Sequence, residues 1–163
     1  MRRRRPRIDA SSRAELEVLY VPLRRFAAAV GPAEIDPDDL VQEALVGALA
    51  RRDLADYDDL GAYLRRSIVS IAANHRRSFD RRRRAITRLG GGLDDVGPPA
   101  YPSDVADLSV LSPRARAVLW LVDVEGRSYR EVAELLGGTE EAHRARASRA
   151  RAQLRAHMEE AQR

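Results

Sequence analysis

Apolar residues recur at helical spacing along almost the whole chain, and the pattern breaks only at glycine and proline. Leu16, Leu19, Leu23, Phe26 and Val30 mark one face of a first helix that ends at Gly31-Pro32. Ser11 or Ser12 is its expected cap, and the internal Pro22 is expected to kink or split it. Asp36 caps the second predicted helix, Pro37 takes its first position, and Asp38 and Asp39 face the positive end of the dipole. Leu40, Ala44, Leu45, Ala48 and Leu49 form its buried stripe, which leaves Asp39, Gln42 and Glu43, with Val46 beside them, on the open face. A third helix starts near Asp58-Asp59, runs through Leu60, Leu64, Ile68 and Ile71, and continues into the basic stretch HRRSFDRRRRAITR. Gly90–Gly92, Gly97-Pro98-Pro99 and Pro102 then interrupt any regular element. Strand-type alternation is absent over any useful length, so the chain reads as all-α: two small helical domains joined by a flexible linker. The expected divisions are a basic disordered arm (1–11), a helical unit (12–88), a Gly/Pro linker (89–103) and a second unit (104–160). The linker is either a tether or a segment that threads into a partner.

The second unit carries the more specific pattern. Ser112 caps a helix with Pro113 at its first position, Val118, Leu119 and Val122 on one side, and a stop at Gly126. Ser128 and Glu131 make a capping box ahead of the apolar stripe Val132, Leu135 and Leu136. Gly137-Gly138 turns the chain, and Thr139 caps a third helix rich in arginine. A tight glycine turn that delivers an Arg-rich helix is the pattern of a helix-turn-helix major-groove reader. On that helix His143, Ala147, Ala150, Leu154 and Met158 share one face, and Glu141, Arg144, Ala145 and Ser148 the opposite one.

Composition narrows the class. All 29 basic side chains are arginine, which a GC-rich coding bias explains more cheaply than selection for bidentate contacts does. The net charge is only +4, but the charges are segregated: acids at 36–43 and 53–59, arginines at 2–7, 76–88 and 144–155. Such segregation implies two kinds of partner, one of them a polyanion. With no cysteine there are neither disulfides nor thiolate zinc sites. No apolar run reaches the roughly 18 residues of a membrane span, and the basic N-terminus lacks the apolar core of a secretory signal, so the expected location is the cytoplasm. His75, His143 and His157 have no ligand spacing, and neither a phosphate loop nor a nucleophile elbow occurs. No enzyme activity, cofactor or metal is expected.

Three stretches in order carry a resemblance: DPDDLVQEALVGAL, then GAYLRRSIVSIAANHRRSFDRRRR, and after the linker LSPRARAVLWLVDVEGRSYREVAELLG. Together they resemble the bacterial extracytoplasmic-function sigma factors, small members of the sigma-70 family that keep only regions 2 and 4. The resemblance spans about residues 14–158. It implies core RNA polymerase (the β′ clamp coiled coil and the β flap) and promoter DNA as partners, and leaves an anti-sigma factor open as a third. It also implies polymerase docking by Asp39, Leu40, Gln42 and Glu43. For the minus-10 element, where a non-template base is flipped and captured, it implies Tyr63, Arg65, Arg66, Ser70, Arg76 and Arg77. Tyr63 has core packing as an equal alternative. For the minus-35 element it implies Arg144, Ser148 and Arg149 on the recognition helix, with Arg127 and Arg130 on the backbone from the preceding helix.

The chain departs from this family at three places. His143 stands on the buried face where the family has a Val-like residue, and a buried imidazole needs a hydrogen-bond partner. Glu140-Glu141-Ala142 replaces a small-Gly-Thr sequence; the two carboxylates stabilise a helix start but repel phosphate if they face it. Ser70 replaces an asparagine after the YLRR motif. Two other readings compete: a plain helix-turn-helix regulator, which leaves the first unit unexplained, and a sigma-like adaptor that binds protein rather than promoter DNA.

Overall fold

A computed structural model of the chain describes residues 8–88 and 107–161, and every regular element among them is helical. The N-terminal arm up to residue 7 and the linker lie outside the described residues. Six α-helices run in order: α1 (Ala10–Val30), α2 (Pro37–Leu49), α3 (Leu60–Arg88), α4 (Pro113–Leu119), α5 (Tyr129–Leu136) and α6 (Glu140–Ala161). A single π turn, Trp120–Val124, extends α4.

Local side chains set most of these boundaries. Asp36 accepts the Asp38 N–H at 2.8 Å, Ser112 the Ala115 N–H at 3.2 Å, and Thr139 the Ala142 N–H at 3.2 Å. Ser128 and Glu131 form the full capping box, whose loss costs about 1 kcal/mol. At α1 the cap differs from the expected one. Its cap is Asp9, which accepts the Ser12 N–H at 2.7 Å, while Ser12 itself is buried. Nor does Pro22 split the helix: α1 is continuous through it. Pro22 withholds one donor from the Val18 carbonyl, and both residues lie on the solvent side, where water satisfies the freed group.

Helices α1, α2 and α3 pack mutually through Leu23, Phe26, Val30, Leu40, Ala44, Leu64 and Ile68. Gly31 permits the close approach of α1 and α2: a Cβ there would fall 2.5 Å from Leu40 Cδ1 and 2.8 Å from the Ala27 carbonyl oxygen. In the second unit, α4 and α5 pack on α6 through Val118, Leu121, Val132, Ala147 and Ala150. The two units are not separate islands. α4 lies against α1 and α3, α5 lies against α3, and their buried side chains form one continuous apolar core.

Acid should loosen this scaffold in a defined direction. The carboxyls of Asp9, Glu131 and Glu141 are held below their ordinary values, chiefly by the backbone N–H groups they accept at helix starts. A depressed folded value stabilises above the unfolded carboxylate value and is lost as pH falls through the folded one. The melting midpoint, followed by circular dichroism, should therefore stay level from neutrality down to about pH 5 and fall below it. A midpoint that rises on acidification would contradict this.

Candidate nucleic-acid and protein interfaces

The first face is the outer side of α2. Because Leu40, Val41, Ala44 and Ala48 point inward, Asp39, Gln42, Glu43 and Val46 fall on one exposed arc at helical spacing. Leu40 is 0% exposed, so it supports this face from beneath and presents no atom to a partner. The motif's leucine, read as a docking residue, is thus a core residue, because the residue after Asp39 necessarily turns about 100° away. Asp38 is turned toward α1, where it accepts Tyr20 Oη at 2.6 Å and Arg24 Nε at 3.0 Å. These two hydrogen bonds hold the Asp38 carboxyl below its ordinary range and fix the start of α2 on α1. Glu43 Oε2 lies 3.1 Å from His75 Nε2, so the exposed α2 arc is tied to α3.

The second face follows α3. Asp59 caps it by accepting the Ala62 N–H at 2.7 Å. Tyr63 is half-buried, its ring 4.4 Å from that of Tyr57, centroid to centroid. Tyr57 donates to the Ala48 carbonyl at 3.0 Å, and burial raises its hydroxyl. Tyr63 thus combines partial packing with partial exposure. Arg65 is only 8% exposed and lies 3.7 Å from Glu125. Arg66 donates to the Leu135 carbonyl at 3.0 Å, and Arg76 to the Leu111 carbonyl. Ser70 and Arg77 are exposed. Beyond Ala72 no residue of α3 is buried, and Arg81 to Arg84 stand in solvent.

The third face is the outer side of α6. His143 is 0% exposed, and its Nε2 donates to the Gly137 carbonyl at 2.9 Å. Gly137, at φ +73°, makes the turn that aims this carbonyl at the imidazole. Arg144 pairs with Glu140 at 2.5 Å and stands 5.6 Å over the Tyr129 ring. That pair neutralises one of the two first-turn carboxylates. Ser148 and Arg149 are exposed beside Arg144. Arg127 pairs with Glu131 at 3.3 Å, and Arg130 with Glu134 at 3.9 Å, both on the outside of α5. At 44% or more side-chain exposure, these guanidiniums remain free to exchange carboxylate for phosphate.

Sequence reading missed four residues. Arg116, 5% exposed, donates to the Gly31 carbonyl at 2.8 Å across the two units. Glu125 accepts Trp120 Nε1 at 3.1 Å besides facing Arg65. His75 and Tyr20 anchor the α2 arc from other helices.

Comparison with known proteins gives the fold a family. The profile described as Sigma-70 region 2 matches residues 17–84, and that of Sigma-70, region 4 matches residues 108–154. The ECF RNA polymerase sigma factor SigM of Mycobacterium tuberculosis, from strains Erdman and H37Rv, is 30% identical over 141 residues, covering 81% of this chain and 69% of SigM. A solved structure of the sigma factor RpoE in complex with the anti-sigma factor NepR from Bartonella quintana shares the fold at a TM-score of 0.66 and 22% identity. The match covers 93% of this chain and 98% of that one. With both regions matched in order and the SigM identity spread across them, the chain belongs to the sigma-70 family as an ECF RNA polymerase sigma factor.

Proposed function

We propose that this sigma factor docks on core RNA polymerase through Asp39, Gln42 and Glu43, with Val46 as the apolar centre of that arc. The β′ clamp coiled coil is the surface it meets, and region 4 reaches the β flap. Helix α3 serves the minus-10 element: Tyr63 offers a ring for an unstacked base, and Arg66, Ser70, Arg76 and Arg77 track the strand. Helix α6 enters the major groove at the minus-35 element with Arg144 and Ser148 outward, while Arg149, Arg127 and Arg130 hold phosphates. The observation that carries the reading is the placement of an acid-and-amide arc, a half-buried tyrosine in a basic helix, and an outward-facing Arg helix on separate faces of one fold. The work is done in the cytoplasm, where polymerase is, and the bond-making chemistry is the polymerase's own.

Permanganate footprinting with reconstituted holoenzyme tests it. Tyr63→Ala should remove thymine reactivity at the minus-10 element while polymerase binding persists. Arg144→Ala should weaken promoter binding by ~1–3 kcal/mol, and selectively for minus-35 variants. Unchanged reactivity would remove Tyr63 from strand opening, and a loss uniform across sequences would make Arg144 a phosphate contact.

A further inference from the structure

Helix α1 uses one side for the core, where Leu23, Phe26, Ala27 and Val30 are buried against α2, α3 and α4. The opposite side carries a second ordered arc. At about 100° per residue, Ala14, Glu17, Val18, Arg25 and Ala28 fall within about 60° of Val21, and all six are exposed. Val18 and Val21 are 75% and 52% exposed, so the middle of the arc is apolar surface left in water. Neither Glu17 nor Arg25 has an ion-pair partner among the described residues. The arc is also symmetric in shape, and opposite in charge, about Val21. Val18 and Glu17 stand three and four positions before it, Arg24 and Arg25 three and four after it, and an alanine lies seven positions away on each side.

We propose that this arc docks on the same arc of a second copy of the chain, the two α1 helices antiparallel about a two-fold axis at Val21. In that register Val21 meets its own mate, Ala14 meets Ala28, and Glu17 lies level with Arg24 and Arg25 of the other helix. The alanines let the helix axes approach at both ends, and Val18 packs on the methylene stem of Arg25. Two-fold symmetry repeats each of these contacts, so both acids face cations. A parallel pairing loses the match, because it sets Glu17 beside Glu17 and Arg25 beside Arg25. From Ala14 to Ala28 the arc runs about 21 Å. One helix pair of that length lies at the small end of specific interfaces, below about 1,200 Å² of buried surface, so the dimer is weak and reversible. None of the residues assigned to polymerase or promoter takes part, and the proposal is independent of those assignments.

Sedimentation velocity of the full chain should move from monomer toward dimer as its concentration rises from about 5 to about 500 µM. Glu17→Arg and Arg25→Glu should each raise the dissociation constant roughly tenfold, and the double variant should associate more tightly than either single one. Both positions are exposed, so the fold survives, which circular dichroism verifies. The chain lacks cysteine, which lets single thiols read the register. Under mild oxidation Val21→Cys should cross-link to itself, and Ala14→Cys to Ala28→Cys when the two are mixed. Ala14→Cys alone should not, its own mate being about 21 Å away. A wild-type chain that stays monomeric, a double variant no tighter than the singles, or Ala14→Cys that self-links as well as Val21→Cys each overturns the proposal. So does a monomer whose melting midpoint falls with Val21→Asp, which would give the arc to another segment of the same chain.

Discussion

Replacing Asp39 and Glu43 together by arginine should weaken capture of core RNA polymerase roughly 100-fold while the helix content of the free protein stays unchanged. Both carboxylates lie on the exposed arc of α2, and neither supports the core. The Glu43–His75 pair is 55% and 33% exposed at its two side chains, a setting in which an ion pair contributes at most about 1 kcal/mol to stability. Asp39 adds a first-turn dipole contact of about 0.3–1 kcal/mol, too little to unfold the domain. At a docking surface the same reversals act differently, since each puts like charge against like and also repels encounter. Two together should cost on the order of 3 kcal/mol, roughly 100-fold in affinity. Gel filtration with core polymerase reads this directly. Reversed variants that still co-elute at wild-type concentrations would remove the α2 arc from the interface.

Truncating His143 to alanine should destabilise region 4 by about 2–4 kcal/mol. The imidazole is fully buried between α6 and the turn, and it supplies the hydrogen bond that fixes the Gly137 carbonyl. A carbonyl only accepts, so Nε2 carries the proton and Nδ1 is left as an acceptor with no partner among the described residues. Alanine therefore loses packing and a hydrogen bond and leaves a cavity. Valine fills part of that volume without the orphaned nitrogen, so His143→Val should cost less, about 1 kcal/mol. Urea unfolding followed by Trp120 emission separates the two. An alanine variant as stable as wild type would show that the turn holds itself.

Much of this was legible because it is local. Asp36, Ser112, Ser128 with Glu131, and Thr139 each reach a donor two or three residues on, so the cap and the helix start appear in the same short window. At α1 one of two serines was expected as the cap, and the carboxylate of Asp9, just ahead of them, takes the Ser12 N–H instead, as a charge-assisted acceptor does. His143 was legible as buried from the helical period alone, and its need for a partner followed. Leu40 of the motif is buried while its neighbours Asp39 and Gln42 are exposed, because a family motif mixes inward and outward residues. The seam between the two units was invisible: Arg116 and Gly31 are 85 residues apart, and nothing local marks a guanidinium destined for a distant carbonyl.

Run-off transcription with core RNA polymerase on a pool of genomic promoters reads promoter-directed initiation itself. Discrete transcripts should appear only when this chain is added, sharing minus-35 and minus-10 sequences and lost with the Asp39 and Glu43 reversals. Polymerase that neither binds the chain nor initiates with it would show that the chain does not direct initiation.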